Sequence, residues 1–228
     1  MATLQTITLL GSSSGRNAGD AALIAAIMDG VDRACGRRLT YDIPTIRPSY
    51  IRGHYPNRTR PVGMMPWQGA LRMLGVPTAR AICRADAVII FDAVLFDRSL
   101  FNPLFNFLSS LYLLLPLASR RGVPIIGYNV GVGPVHTAAG RRMLKSVAER
   151  MAFITVRDQD SLDLLHEAGV SNPRVRLAAD AALNAPALPP AEVEPILRAA
   201  GVDPAQPKLG INVNRYLDTW ASAGRVSM

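Results

Sequence analysis

The chain has 228 residues, 49% of them hydrophobic and 18% charged, and a formal net charge of +8. This composition excludes a disordered or fibrous chain and supplies enough apolar material for one or two domains with a buried core. Its two cysteines, Cys35 and Cys83, show no metal or redox spacing, which argues against a disulfide scaffold and makes a reducing compartment the expectation.

The N-terminus lacks a basic n-region and runs directly into a strand pattern, Ile7 to Leu10, so no secretory signal is read and a cytoplasmic location is expected. The segment Gly11 to Asp20, GSSSGRNAGD, leads into a helix through Ala21 to Ala34, and Leu39 to Ile43 reads as a second strand. Pro44 to Pro66 is rich in Pro, Arg and Gly and is expected to be a loop, long enough to suggest a functional role. A helix over Gln68 to Arg84 precedes Ala87 to Phe91, a continuous apolar strand typical of a sheet covered on both faces. Leu104 to Ala118 is the most apolar run. Asn106, Ser109, Ser110 and Pro116 interrupt it, and a spanning helix needs about 20 apolar residues, so a buried or interfacial helix is predicted. Val123 to Tyr128 then reads as a strand and Thr137 to Met151 as a helix.

Phe153 to Leu183 is the most informative stretch. A buried strand, Phe153 to Val156, ends in Arg157-Asp158. The helix that follows carries Leu162, Leu165 and Ala168 on one side and stops at Gly169, and a strand from Val175 to Ala179 ends in Asp180. Repeated strand–helix alternation predicts an α/β fold with a doubly wound parallel sheet. Asn184 to Pro190, NAPALPP, holds three prolines in seven residues and reads as a linker. The expected division is therefore a domain over 1–185, then 186–228 as linker and start of an incomplete second domain, with a helix Glu192 to Ala200 and a strand Leu209 to Asn214.

Three loops that follow strands carry polar groups, and a parallel sheet would bring them to one edge. The first, Gly11 to Asp20, has neither a dinucleotide fingerprint nor a P-loop ending, which argues against a dehydrogenase. Small residues entering a helix can leave its N-terminal amides open to an anion, whereas Asp20 can instead complement the helix dipole; both readings stand. The second, Asn129 to Pro134, contains Gly131 and Gly133, which allow close approach of a ligand or another backbone. In the third, Arg157 lies where open α/β sheets place ligands, and Asp158 is equally well read as a helix cap.

The charge does not read as a nucleic-acid interface. Lys145 and Lys208 are the only lysines, and the arginines are scattered through helices and loops without dense clusters or interleaved aromatics. A phosphorylated substrate or an anionic membrane surface, met peripherally, suits the charge instead.

Asn17-Ala18-Gly19-Asp20, the turn Gly131-Val132-Gly133-Pro134, and Val156-Arg157-Asp158 with Ser161, Leu164, Leu165, Gly169, Val170 and then Asp180 together resemble the polysaccharide pyruvyl transferase family, in order and spacing, over roughly residues 5 to 215. The resemblance implies a Rossmann-like domain from a GT-B-like pair. It also implies transfer of the enolpyruvyl group of phosphoenolpyruvate to a sugar hydroxyl of a cell-surface or exopolysaccharide precursor, giving a pyruvate ketal. No cofactor or metal is implied; phosphoenolpyruvate is the donor, and a saccharide or lipid-linked saccharide is the acceptor. The implied binding residues are Asn17, Gly19, Asp20, Gly131, Gly133, Arg157 and Asp180, with Asp20 on the acceptor side and Arg157 gripping phosphate or carboxylate.

The chain departs from the family pattern in three places. Phe91 to Asp97 stands where a glycine-rich turn is usual, and Ala181 rather than proline follows Asp180. None of His54, His136 or His166 matches the histidine of the family's second domain. That domain is expected to supply the general acid, so the 228-residue chain is expected to lack turnover. A GT-B glycosyltransferase using a nucleotide sugar, and a non-catalytic remnant or regulatory module, are the alternative readings.

Overall fold

β1 (Thr6–Leu10) sends Ile7 and Leu9 into one apolar cluster and Leu10 into another. β4 (Ala87–Leu95) likewise divides Ile89 and Phe91 from Val88 and Ile90. Strands that are apolar on both sides must be covered twice, the condition met by a parallel sheet between two helical layers. The computed structural model, which describes residues 4–13, 17–63, 75–101, 106–185 and 187–211, has that arrangement.

The remaining elements are α1 (Ala18–Cys35), β2 (Thr40–Thr45), α2 (Pro48–His54), β3 (Thr59–Gly63), α3 (Val76–Arg84), α4 (Phe107–Arg120), β5 (Ile125–Val132), α5 (Ala138–Ala148), β6 (Phe153–Val156), α6 (Gln159–Glu167), β7 (Val175–Leu177) and α7 (Pro190–Ala199). Seven strands form one sheet in the order β3-β2-β1-β4-β5-β6-β7, every pair parallel. Leu23, Ile27 and Ile51 bring α1 and α2 onto one face; Ile82, Leu111, Leu144 and Leu165 bring α3 to α6 onto the other. Each such fully buried side chain contributes roughly 1.5–3 kcal/mol relative to exposure. After β7 a single 3₁₀ turn, Ala181–Asn184, packs Ala181 against the first cluster and contacts α1.

The span Pro44 to Pro66, expected to be one loop, contains the end of β2, the helix α2 and the edge strand β3 through Gly63. Pro61 is tolerated because, among the described residues, β3 pairs on one side only, with β2. Pro44 has no N–H to give, and the β1–β2 ladder stops two residues earlier at Thr8–Asp42. Ser13 Oγ donating to the Pro44 carbonyl and Thr45 Oγ1 donating to the Ser13 carbonyl (2.8 Å) continue the link between these strand ends. Tyr55 Oη donates to the Ala21 carbonyl at 2.9 Å, and burial pushes this hydroxyl up to about 12, so it remains a donor.

β4 and β5 run four residues beyond the ends expected of them, so Asn129 to Val132 are strand rather than loop. A bulge makes the extension possible: register shifts on either side of Asp92, and Asp92 (φ 72°) and Asn129 (φ 51°) both adopt left-handed backbone. β7 ends at Leu177, two residues earlier than expected. Of the predicted helix over Gln68 to Arg84, residues 68–74 lie outside the described residues. Leu209 to Ile211 are not strand, and 212–214 lie outside. Among the described residues no helix is long and apolar enough to cross a membrane.

The chain divides into two compact units, Met1–Ala185 and Pro186–Met228. In the second, α7 buries none of its residues and Ile196 is 60% exposed.

Candidate functional site

The sheet order reverses between β1 and β4, so the crevice outside their carboxyl ends is the topological switch point where open α/β sheets bind ligands. On the β1 side, Asn17 caps α1: its Oδ1 accepts from the Gly19 amide at 2.9 Å, and its Nδ2 donates to Asp20 Oδ1 at 2.9 Å. Ser12 Oγ donates to Asp20 Oδ2 at 2.6 Å, and Asp20 is buried. These bonds form a capping network at the start of α1, and Asp20 sits in the first turn where the helix dipole favours a carboxylate. A Cβ at Gly19 would lie 3.2 Å from Asn17 Oδ1, so glycine suits the tight cap.

On the β4 and β5 side, two left-handed non-glycine residues sit at neighbouring positions of central strands. Such backbone costs about 1–3 kcal/mol per residue and persists only where the surroundings enforce it. Asn129 is enforced by burial and by two hydrogen bonds: its amide donates to Thr155 Oγ1 and its Nδ2 to the Ala179 carbonyl, both at 2.7 Å. The next turn begins at Gly133 (φ 105°), where a Cβ would lie 2.5 Å from Leu164 Cδ1, so only glycine fits. Gly131, buried in β5, is one residue before Val132, whose amide donates to Ser161 Oγ at 2.9 Å.

Asp97 was not among the residues picked out by sequence. Its buried carboxylate accepts from the His136 amide at 2.8 Å and the Thr137 amide at 2.6 Å, while its own amide donates to the Pro134 carbonyl at 3.1 Å. It thereby fixes the whole Gly133–Thr137 turn against the end of β4. A carboxylate just beyond a fully apolar strand was the available signal for both Asp92 and Asp97. This turn also sets exposed His136, alone of the three histidines, in the segment leaving the carboxyl end of β5; His54 stacks on Tyr50 with ring centroids 3.8 Å apart, and His166 is exposed in α6.

At the β6 end, Asp158 is the N-cap of α6, accepting from the Ser161 amide at 2.8 Å. Hydrogen bonding from the Ser161 side chain, reinforced by its amide and by Arg157, holds this carboxyl below its ordinary value against a smaller desolvation effect. Arg157 Nη1 lies 3.3 Å from Asp180 Oδ2, and its Nε 3.7 Å from Asp158 Oδ2. Asp180 also caps the 3₁₀ turn through Ala182. The trio carries one positive and two negative charges and is partly solvated, with Arg157 and Asp180 side chains 31% and 33% exposed. An anion binding here would share the Arg157 guanidinium with Asp180 and Asp158.

All seven sequence-predicted residues lie along the carboxyl edge, in three groups: Asn17, Gly19 and Asp20; Gly131 and Gly133; Arg157 and Asp180. The Asn129–Ala179 and Val132–Ser161 bonds join the second group to the third. The 3₁₀ turn that Asp180 caps contacts α1, the helix that Asn17 caps. A separate shallow recess of about 420 Å³, lined by Arg47, Ser49, Tyr50, Gly53 and His54, runs along α2. Among the described residues no group of three or more His, Cys, Asp or Glu is placed to hold a metal.

The sheet and its two helical layers define a Rossmann-like unit equivalent to one half of a GT-B protein. Solved structures of that architecture match it: Anabaena Alr3699/HepE in complex with UDP (12% identity, TM-score 0.50, 87% of this chain and 50% of that one) and with UDP-glucose (10%, 0.50, 86% and 50%). Neisseria meningitidis UDP-GlcNAc 2-epimerase bound to UDP-GlcNAc matches similarly (11%, 0.50, 87% and 52%). The chain thus spans about half the length of the structures it matches. No curated protein matches its sequence. The family model of polysaccharide pyruvyl transferase matches residues 17–225, and the chain belongs to that family.

Proposed function

We propose that this chain carries part of the site at which a pyruvyl transferase moves the enolpyruvyl group of phosphoenolpyruvate onto a sugar hydroxyl of a cell-surface or exopolysaccharide precursor. In that chemistry the methylene carbon takes a proton, a sugar hydroxyl adds to the central carbon, and phosphate leaves. A second hydroxyl then closes the ketal as both hydroxyl protons are lost. The donor brings a phosphate and a carboxylate, and a guanidinium grips either one bidentately. The observation that carries the reading is that the family's motif residues converge on one sheet edge, with Arg157 at the end of β6. Asp20 faces the switch-point loop and is assigned to the acceptor side. The general acid and the rest of the donor site are assigned to the part of the architecture that these residues do not span.

The Arg157–Asp180 pair gives the proposal a direct test, since Asp180 competes with the donor for the same guanidinium. In calorimetric titrations with phosphoenolpyruvate, Arg157→Ala should weaken binding roughly ten- to a hundredfold, the loss of a charge-assisted contact worth about 1.5–3 kcal/mol. Asp180→Asn should strengthen it. If Asp180→Asn leaves affinity unchanged while Arg157→Ala lowers only thermal stability, the pair is a structural clamp and the donor binds elsewhere.

A further inference from the structure

Five of the arginines scattered along the sequence are brought onto three neighbouring helices by the fold. α3, α4 and α5 lie on one face of the sheet, with α4 packed against both neighbours. Together they carry Arg80, Arg84, Arg120, Arg141, Arg142 and Lys145 and no acidic residue. All six cations are exposed, and among the described residues none of them is ion-paired. At the centre, α4 turns Leu113 (66% exposed) and Tyr112 (40%) outward, and Leu113, half-buried Leu117 and Arg120 follow one another at helical spacing.

Helix-dipole chemistry explains part of this pattern only. Arg84, Arg120 and Lys145 occupy last turns, where cations are favoured. Arg141 and Arg142 stand near the N-terminus of α5, where the dipole disfavours them, and a 3.3 Å contact from Arg141 to the His136 carbonyl serves only one of the two. Two other helices lack this excess, whereas α2 shares it on a smaller scale through Arg52. α1, on the opposite face, carries Asp20, Asp29 and Asp32 against Arg33, and α6, the fourth helix of the same face, carries Asp160, Asp163 and Glu167.

We propose that the outer surface of α3, α4 and α5 docks on an anionic lipid bilayer, with Tyr112 and Leu113 entering the headgroup boundary and the six cations facing acidic headgroups. Exposed leucine and tyrosine ringed by unpaired cations fit an interface that is apolar just below a negative surface. A nucleic acid would match the cations and leave Leu113 without a role. The proposal goes beyond the pyruvyl-transfer reading and does not depend on which donor is used.

The test is co-sedimentation of the 228-residue chain with vesicles of phosphatidylcholine alone and of phosphatidylcholine and phosphatidylglycerol at two to one. Binding is expected to the mixed vesicles only and to weaken with salt. Neutralising one basic residue should cost about fivefold in partitioning, so Arg141→Gln with Arg142→Gln should lose roughly 25-fold. The charge-preserving pair Arg141→Lys and Arg142→Lys should bind normally, and Leu113→Gln should lose about tenfold. Melting curves of these surface variants should match that of the parent chain. The proposal is overturned by equal binding to both vesicle types, by indifference to the Arg141 and Arg142 changes, or by a duplex DNA that displaces the vesicles while Leu113→Gln has no effect. A dimer that Leu113→Gln splits, without change in vesicle binding, would overturn it in favour of self-association.

Discussion

Asp97 and Gly133 hold the same turn by different means, and each makes a distinct prediction. Asp97→Ala would leave the His136 and Thr137 amides without their acceptor, at about 2–3 kcal/mol. Urea unfolding should show a lower midpoint with an unchanged slope, and Asp97→Asn, which keeps one carbonyl oxygen, should lose less. Gly133→Ala meets both a left-handed backbone and Leu164 Cδ1 at 2.5 Å, a loss of about 1–3 kcal/mol. Adding Leu164→Ala should not restore stability, because it removes the contact and leaves the backbone cost. Residue types with a single backbone role are readable in the sequence: Gly133 reads as a close-approach position and Asp158 as a cap. Asp97 is not, because its partners are amides of residues 39 and 40 positions away, a contact created only when β4 and β5 pair.

Among the elements, β6 and α6 match the bounds read for them, because an apolar strand, an aspartate cap, apolar spacing along the helix and Gly169 (φ 72°) after it all agree; the strand is less buried than expected, since Phe153 is 39% exposed. β3 was hidden because its sequence TRPVG carries proline and glycine and no residue of it is fully buried, so no alternation marks it. The over-run of β4 and β5 was hidden by the bulge, which interrupts the pattern at Asp92. Carboxylates that accept from backbone amides also predict the acid response. Asp86 accepts from the Thr6 and Gln5 amides, which hold its carboxyl below the ordinary value, as the Ser161 hydrogen bonds do for Asp158. A carboxyl depressed in the folded chain stabilises above its unfolded value, about 3.9, and that contribution is lost as pH falls through the folded value. Melting temperature should therefore drop below about pH 4, and the drop should be shallower in Asp86→Asn combined with Asp158→Asn. Parallel acid limbs in parent and variant would contradict this.

For the whole molecule, the alternation of apolar strands and helices was enough to foresee a doubly wound parallel sheet. The strand order was not foreseen, since the crossover from β3 past β1 to β4 depends on packing both faces. The unit boundary at Ala185–Pro186 falls in the proline-rich stretch. We expect limited proteolysis to cut first between Asn184 and Pro190 and to leave a folded fragment ending there. Resistance of this stretch, together with unfolding of a chain cut back to Ala185, would mean that the two units fold as one.

The most direct test of a donor site on the carboxyl edge is a backbone-amide NMR titration of the 228-residue chain with phosphoenolpyruvate, run beside UDP-glucose. Phosphoenolpyruvate should shift amides of Asn17–Asp20, Asn129–Gly133 and Arg157–Asp158 together, with one saturation curve, while UDP-glucose leaves them in place. Shifts confined to the α2 recess, or a response of the three segments to UDP-glucose and not to phosphoenolpyruvate, would contradict a pyruvyl-donor site there.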